Sequence, residues 1–327
     1  MDPLWALRQV AFQLERAGEP TYRVRAFRKA AEVVAALPDG EVARRVAAGT
    51  LTDLPGIGKA TAGVVADAVA GREPTYLSRF REPVVGGQAL RALLKGDCHT
   101  HSDWSDGGSP IREMAETARD LGHSWMVLTD HSPRLTVANG LSADRLLKQL
   151  DVVAELNAEL APFRILTGIE VDILDDGSLD QRPELLARLD VVVASVHSKL
   201  RMPSPEMTRR MVAAVSNPHV DVLGHCTGRL VVGKGRPEST FDAEAVFTAC
   251  VEHGTAVEIN SRPERRDPPG RLLRLAVELG CVFSIDSDAH APGQLDWLSF
   301  GCERAEECGV TPDRVINTLE ADELPAR

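Results

Sequence analysis

The feature that most constrains the fold is a regular alternation of short β-branched runs with helical segments, from Gly96 to the end of the chain. Seven such runs occur, and the segments between them, such as IREMAETARDLG, have the periodicity of amphipathic helices. Parallel strands need long crossover connections, so this pattern predicts a barrel-like α/β domain with a parallel sheet. The predicted strands are GDCHTH, WMVLTDH, FRILTGIEVDI, DVVVASVHS, VDVLGHC, TAVEIN and VFSIDSDAH.

Histidine is concentrated at the ends of these predicted strands. Six of the nine histidines lie there, whereas His123, His219 and His253 fall in helices or loops and are predicted to be structural or surface residues. Catalytic groups of parallel barrels gather at the C-terminal strand ends, so we expect the six imidazoles to share one face of the domain. The six are His99, His101, His131, His197, His225 and His290.

The stretch GDCHTHSDWSDGG indicates what this face would do. His99 and His101 are two residues apart, so on a strand both rings point to the same side. Asp106 follows closely, and Glu170 and Asp288 belong to the third and seventh strand segments. Neutral imidazoles converging with carboxylates indicate a transition-metal site. Two histidines on a solvated strand face, or an Asp-Gly turn with polar neighbours, are the alternative.

Residues 1–80 have a different character, with short helical segments that each end at Gly or Pro. The fourth segment, LTDLPGIGKATAGVVADAVAG, places Gly56 and Gly58 directly before a helix. Glycine permits close approach of a ligand, and a helix N-terminus offers free N–H groups to a phosphate. LPGIGK therefore resembles a helix-hairpin-helix loop that holds the DNA backbone through Gly56, Gly58 and Lys59. An ordinary turn between two helices is the alternative.

The predicted organisation is a small all-α domain at 1–80, a linker at 81–95 and an α/β domain at 96–327. The linker, REPVVGGQALRALLK, contains Pro and two glycines. Charge divides in the same way: the chain through Gly96 has 14 Lys and Arg against 10 Asp and Glu, and the remainder has 23 against 38. DNA would therefore be met first by the N-terminal part.

Composition also bears on location. No apolar run approaches the ~20 residues of a membrane span, and the N-terminus lacks the pattern of a signal peptide. We therefore expect a cytoplasmic protein with no membrane partner. The six cysteines have neither CxxC spacing nor the density of a disulfide scaffold, so most are predicted to be small buried residues.

Together, the motifs resemble those of the PHP (polymerase and histidinol phosphatase) family. GLSADRLLKQL and DAHAPGQLDWLSFG resemble the PHP domain of bacterial family X DNA polymerases, which an LPGIGK domain also precedes. The polymerase palm and fingers that normally lie between have no counterpart in the 15 residues of the predicted linker. The family motifs are HTH at 99–101, SDG at 105–107, TDH at 129–131, GIEVD at 168–172, SVHS at 195–198, GHCTGR at 224–229 and SDAH at 287–290.

The resemblance implies a distorted (β/α)7 barrel that holds two or three divalent transition metals, Mn, Zn or Fe. A glutamate that bridges two ions would hold them ~3.5–4 Å apart, the spacing of two-metal phosphoesterases, where the ions activate water and stabilise the leaving oxygen. The implied ligands are His99, His101, Glu170 and Asp288 for one ion, Glu170, His197 and His225 for a second, and Asp106, His131 and His290 for a third.

The resemblance also assigns roles near the phosphate. Glu170 and Asp288 are the expected catalytic carboxylates, and Arg265 in SRPERRD matches the family's phosphate-binding arginine. Arg229 is a second candidate cation, and a surface position is the alternative for both arginines. Cys226 stands where the family usually has Pro; oxidation sensitivity or simple burial would follow.

The implied activity is phosphoester hydrolysis, and two substrate classes compete. One is a DNA end, processed by a 3′–5′ exonuclease or 3′-phosphatase in repair, with the helical domain holding the strand. The alternative is a small phosphate ester, hydrolysed by a phosphomonoesterase of the histidinol-phosphatase type. A non-enzymatic DNA-binding role is disfavoured because every ligand position is filled. LPGIGK favours DNA, whereas the acidic α/β part leaves room for a small substrate.

Overall fold

The computed structural model describes residues 1–80 and 86–324. The chain forms two compact units, Met1–Val84 and Val85–Arg327. Residues 81–85 of the predicted linker and the last three residues of the predicted α/β domain lie outside the described residues.

The described part of the predicted linker packs on the second unit. A short helix forms at Gln88–Arg91, and Leu90 and Leu94 are buried in the main core of that unit. The backbone N–H of Gly86 donates to a carboxylate oxygen of Glu303 at 3.2 Å. Because these residues share the core of the α/β unit, we propose that its domain begins near Gly86 rather than at 96.

Residues 1–80 form four α-helices around their own apolar core. The first helix begins where the Asp2 carboxylate accepts hydrogen bonds from the N–H groups of Leu4 and Trp5. Its buried stripe includes Leu7 and Leu14, which lie one above the other on the face that packs inward. The helices are α1 (Pro3–Arg16), α2 (Thr21–Ala35), α3 (Glu41–Ala48) and α4 (Lys59–Val69).

The second unit is built on seven parallel strands that pair in sequence order from β1 to β7. The strands are buried along almost their whole length, which explains their continuous apolar runs, since helices cover the outside of such a sheet. They are β1 (Gly96–Thr100), β2 (Trp125–Leu128), β3 (Arg164–Asp172), β4 (Val191–Ser195), β5 (Val222–Leu223), β6 (Ala256–Asn260) and β7 (Phe283–Asp286).

The first and last strands meet, so the sheet is a nearly closed barrel. Thr100 pairs in parallel with Ala289, and the N–H of His101 donates to the Ala289 carbonyl at 2.8 Å. Near the centre of β1, the Cys98 N–H donates to the Asp286 carboxylate at 2.9 Å. The predicted (β/α)7 barrel with a preceding helical region is therefore confirmed.

Helices connect the strands, and the long predicted ones are found close to their expected bounds. The strands depart further from their predicted bounds. Strand β5 has only two residues, and His131 lies beyond the end of β2, where it forms a β-bridge with Glu170. In the described residues of this unit the α-helices are α5 (Gln88–Arg91), α6 (Ile111–Asp120), α7 (Ala143–Leu160), α8 (Pro183–Leu186), α9 (Ser204–Val215), α10 (Ala243–His253), α11 (Gly270–Leu279) and α12 (Leu298–Glu307).

Among the described residues, we find no helix with the length and apolar character needed to cross a membrane.

Candidate metal centre

The side chain of Glu170 lies at the centre of a buried cluster at the C-terminal ends of the barrel strands. Its Oε1 atom is 3.2 Å from His197 Nε2 and 3.0 Å from His225 Nε2. Its Oε2 atom is 3.4 Å from His99 Nε2 and 3.7 Å from His101 Nε2. The two oxygens of one carboxylate therefore face different histidines, which is the arrangement a bridging ligand requires.

Asp288 completes the side of the cluster formed by β1. Its Oδ1 atom is 3.4 Å from His101 Nε2 and 3.9 Å from His99 Nε2. Its Oδ2 atom accepts from Asn260 Nδ2 at 3.1 Å. The backbone of Asp288 has φ 51°, a conformation that few non-glycine residues adopt and that is typical of functional sites.

A third group of ligand atoms forms at the outer edge of the cluster. Asp106 Oδ1 is 3.5 Å from His131 Nε2 and 3.4 Å from His290 Nε2. The ring of His101 stacks on that of His290, with centroids 4.1 Å apart. His131 also reaches the centre, because its Nδ1 atom is 2.8 Å from Glu170 Oε2.

The structure thus brings all nine sequence-predicted ligands together, but it divides them differently from the sets implied by the family. His101 and His131 each belong to two groups of converging ligand atoms rather than one. Within the described ranges, the groups whose ligand atoms lie within 4.8 Å of one another are His101, Asp106, His131 and His290; His99, His101 and Glu170; and His131, Glu170 and His197.

The atoms of this cluster that could ligate a metal fit a bound cation. Buried polar atoms without a hydrogen bond are rare, since leaving them unpaired costs free energy. Several occur together here, and each is an atom type that ligates transition metals. Among the ligand residues of the cluster, the buried atoms with no hydrogen-bond partner in the described part of the chain are His99 Nε2, both ring nitrogens of His101, His131 Nδ1, Glu170 Oε2, His197 Nδ1 and His225 Nδ1.

Glu258 on β6 orients two of these histidines. Its Oε1 atom is 2.6 Å from His99 Nδ1, and its Oε2 atom accepts from the backbone N–H of His225 at 2.5 Å. A carboxylate at Nδ1 holds the ring proton there and leaves Nε2 free to coordinate. Glu258 therefore connects a histidine of the first implied set to one of the second.

Asp172 and Asp130 position other parts of the cluster. Asp172 Oδ1 accepts from the His197 backbone N–H at 3.2 Å and is 3.3 Å from its Nδ1 atom. Asp130 accepts from the Ser102 N–H at 2.8 Å and from the Ser105 hydroxyl at 2.5 Å. Asp130 thereby fixes the loop that leads to Asp106, rather than joining the cluster itself.

The electrostatics of the cluster keep Glu170 ionised and favour a positive charge beside it. Burial alone would raise the pKa of Glu170, but the surrounding histidines, His197 first, outweigh it and hold that pKa well below its usual range. Burial opposes a charge on His197 as well, yet Glu170 and Asp172 raise its pKa to about 9. Burial, then His290 and His131, hold the pKa of His101 well below its usual range, so that ring is neutral.

The two candidate arginines are placed differently. Arg265 Nε is 3.2 Å from Asp288 Oδ2, and its Nη1 atom is buried with no hydrogen-bond partner among residues 1–80 and 86–324. Arg229 is engaged: its Nε donates to the Arg265 carbonyl at 3.0 Å, and its other nitrogens contact the Arg266 carbonyl and Glu238. Only Arg265 presents an unused donor beside the cluster.

Cys226 is a buried thiol near the cluster. Burial and the nearby Asp267 raise its pKa well above the usual range, so the reactive thiolate is disfavoured. The position favours the alternative of a small buried residue.

In the helical unit, the LPGIGK loop is an exposed hairpin anchored by Ile57, which is 5% exposed. Gly56 has φ 95°, a left-handed conformation suited to glycine. Gly58 has extended backbone and precedes α4, and the hydroxyl of Thr61 accepts from its N–H at 2.9 Å. Lys59 begins the helix and is exposed.

The positioning carboxylates Glu258 and Asp172 were not identified from the sequence. Both follow the period-two rule that grouped His99 with His101: Glu170 and Asp172 are two residues apart on β3, and Glu258 precedes Asn260 by two on β6. Applied to every strand, the same rule would have placed them beside the cluster.

Comparison with known proteins bears on both units. A family model described as "Helix-hairpin-helix domain" matches residues 1–73, and one described as "PHP domain" matches residues 97–262.

Two curated relatives illustrate the similarity. The chain is 40% identical over 233 residues to the "DNA polymerase/3'-5' exonuclease PolX" of Bacillus subtilis, covering 71% of this chain but only 40% of that relative. It is 31% identical over 233 residues to a probable phosphatase of Thermoanaerobacter sp. (strain X514), covering 68% of this chain and 89% of the phosphatase.

A lower similarity relates the chain to the crystal structure of histidinol phosphate phosphatase from Lactococcus lactis, complexed with zinc, L-histidinol and phosphate. The TM-score is 0.48 and the identity 19%, over 66% of this chain and 94% of the other.

Proposed function

We propose that this chain, which belongs to the PHP family and is a hydrolase of phosphoester bonds, acts on DNA ends. It would process them as a metal-dependent 3′–5′ exonuclease or 3′-phosphatase. The observation that supports this most is the buried Glu170 carboxylate, whose two oxygens face different groups of histidines. Histidines on both sides of one carboxylate could hold two cations, and a two-cation site suits hydrolysis of a phosphodiester or phosphomonoester.

The cluster would hold two or three divalent cations, with Mn, Zn or Fe compatible with its mixture of imidazole and carboxylate ligands. When bound, such cations supply Lewis acidity to the phosphoryl group and make an attacking water more acidic. The ligands would be the nine converging residues: His99, His101, Asp106, His131, Glu170, His197, His225, Asp288 and His290.

The chain's own residues then position the substrate and the ligands. Arg265 would bind a phosphoryl oxygen through its unpaired Nη1 group, while Asp288 holds the guanidinium in place. Arg229 would act through Arg265, because its Nε group donates a hydrogen bond to the Arg265 carbonyl and so holds that part of the backbone in place. Glu258 would keep the His99 ring in the tautomer that coordinates.

DNA is favoured as the substrate by the helical unit. Its hairpin leaves Gly56, Gly58 and Lys59 exposed to solvent, beside a helix N-terminus whose first N–H groups have no intrahelical partner. The match to a helix-hairpin-helix model and the similarity to PolX support the same reading. The phosphate backbone is the element of DNA that such a loop would bind.

A small phosphate ester is the second candidate substrate. This chain covers 89% of a relative that is called a probable phosphatase, and the region after Gly96 has 23 Lys and Arg against 38 Asp and Glu. That acidic surface would repel a long polyanion more than a small ester.

The deciding experiment is a direct comparison of substrates for the metal-loaded protein. Three substrates would be used: a 5′-labelled oligonucleotide with a 3′-hydroxyl, the same oligonucleotide with a 3′-phosphate, and p-nitrophenyl phosphate. We expect shortening of the first or dephosphorylation of the second, both absent in a Glu170→Gln control. Turnover of the small ester with neither change in the DNA would make the phosphomonoesterase the correct assignment.

A further inference from the structure

A surface cavity of about 500 Å³ lies at the connection between β4 and α9, outside the cluster described above. It is lined by two cationic side chains, an apolar pair and one carboxylate. The lining residues are Lys199, Arg201, Met202, Pro203 and Glu206.

The cavity is close to the candidate metal centre along the chain. Lys199 is two residues beyond His197, whose Nε2 atom is 3.2 Å from Glu170 Oε1. Two residues span at most about 7 Å between Cα atoms, so the Cα atom of this lining residue lies within about 7 Å of that of His197. The cavity also lies past the C-terminal end of β4, on the face of the barrel where the ligands converge.

The wall of this cavity is a fixed turn. The N–H of Met202 donates to the Lys199 carbonyl at 2.8 Å, and Lys199 has φ 51°. Beneath it, the buried guanidinium of Arg210 donates to the carbonyls of Ser198 and Leu174, each at 2.9 Å. Arg210 thereby ties the turn to the segment that follows β3. A lysine in a left-handed conformation, on a supported turn beside a functional cluster, is a typical feature of a ligand-binding loop.

The cavity is lined by more cationic than anionic side chains, whereas the barrel unit as a whole is acidic. Lys199 and Arg201 are both exposed, and Arg201 has no ion-pair partner within the described ranges. Lys199 pairs with Asp175 through exposed groups, an interaction that contributes little and that another anion could replace.

We propose that this cavity is a subsite for the nucleotide next to the scissile phosphate of a DNA strand. Lys199 and Arg201 bind the neighbouring phosphate, and Met202 and Pro203 contact the sugar and base. A nucleotide combines an anion with an apolar ring in the way that the lining residues combine cations with an apolar surface. The proposal rests on DNA being the substrate of the adjacent metal centre.

The test compares the double variant Lys199→Ala, Arg201→Ala with the parent protein, both loaded with Mn²⁺, on a single-stranded oligonucleotide and on p-nitrophenyl phosphate. We expect the KM for the oligonucleotide to rise about tenfold with little change in kcat, as expected when charge-assisted contacts are lost. The salt dependence of DNA binding should fall by about 0.7 in log–log slope for each phosphate contact removed. Hydrolysis of the small ester should not change, because it leaves the cavity empty.

Arg188→Ala is the matched control. Arg188 is also an exposed arginine, three residues before β4 and at the opposite end of the strand from the cavity. The variant Asp175→Asn tests the proposal in the other direction. It removes the carboxylate that pairs with Lys199, so Lys199 is free to bind a phosphate and the KM for the oligonucleotide should fall about twofold.

The outcomes separate the two proposals. A parent protein that degrades DNA, with a double variant that matches it and the Arg188→Ala control, overturns the subsite and leaves the proposed function standing. Loss of small-ester hydrolysis in the double variant also overturns the subsite, since the residues would then act on the cluster. A parent protein that does not process DNA ends overturns both.

Discussion

The hairpin of the helical unit and the ligand cluster of the barrel present their functional groups in opposite ways. In the hairpin, Gly58 and Lys59 are exposed, and the loop is anchored in the core by the buried Ile57 and the partly buried Leu54. In the barrel, His99 is 0% and Glu170 1% exposed. Burying such groups costs free energy that only suitable partners offset. A buried polar cluster is therefore strong evidence for a bound cation, whereas an exposed loop bears no such cost and reveals less about its ligand.

The largest effect that this comparison predicts is on removal of metal. Chelation should abolish hydrolysis of every substrate and leave DNA binding through the hairpin nearly intact, because its backbone N–H groups need no metal. Elemental analysis of the purified protein should find two or three transition-metal ions per chain, since nine ligand residues converge. At most one ion in a fully active sample would contradict the multinuclear assignment, and loss of DNA binding on chelation would contradict the separation of roles.

The next effect concerns the bridging carboxylate. Glu170→Gln should lower kcat about 10³-fold, because the neutral amide holds neither cation as the carboxylate would. His131→Ala should cost less, although more than a ligand of a third ion alone, since His131 Nδ1 also contacts Glu170 at 2.8 Å. His253→Ala, on the outer helix α10, is the control. Steady-state rates on p-nitrophenyl phosphate give the ranking, and equal losses for the two variants would show that Glu170 is not the bridge.

A smaller effect is expected from Glu258, which touches the cluster only through histidines. Glu258→Gln should weaken metal affinity about 10- to 100-fold, because the His99 ring loses the carboxylate that fixes its tautomer. Competition with a chromogenic chelator measures that affinity directly, without any assay of activity. The exposed Glu252→Gln serves as the matched control. Unchanged affinity would mean that Glu258 supports only the packing between β1 and β6.

The contrast between the units also explains what the sequence could predict. Strand–helix alternation and six histidines at strand ends predicted the barrel and the face on which His101 and His290 meet, because a parallel topology leaves few alternatives. Sharing of His101 and His131 between groups could not be predicted, since it depends on ring positions that strand ends do not determine. The engagement of Arg229 depends on a long-range contact with the Arg265 carbonyl that no local pattern encodes.

The smallest effect, and the one that tests the hairpin most directly, is expected at Gly58. Gly56 is a poor test position, because a Cβ there would lie 3.1 Å from Lys29 Cγ and 3.2 Å from Val33 Cγ2, and its φ of 95° disfavours any side chain. At Gly58 the backbone is extended and a Cβ would meet no atom within 4 Å. No steric clash requires glycine at this position, although Gly58 is the N-cap residue of α4, so a side chain there should interfere mainly with a ligand that approaches the backbone.

Gly58→Val should therefore lower the free energy of unfolding by no more than about 1 kcal/mol, the cost of a poorer N-cap for α4, and lower DNA affinity about tenfold through a lost phosphate contact. The salt dependence of binding to a single-stranded oligonucleotide should shrink by up to about 0.7 in log–log slope, because the side chain would also keep a phosphate away from the neighbouring Lys59, and turnover of p-nitrophenyl phosphate should stay at the parent level. Gly63→Val is the matched control, because Gly63 is also exposed and a Cβ there meets no atom within 4 Å, but it lies inside α4 rather than in the loop. Fluorescence anisotropy across a salt series compares the three proteins. If Gly58→Val binds DNA like the parent and Gly63→Val, with the same salt slope, the hairpin is an ordinary turn between helices and the small phosphate ester becomes the favoured substrate.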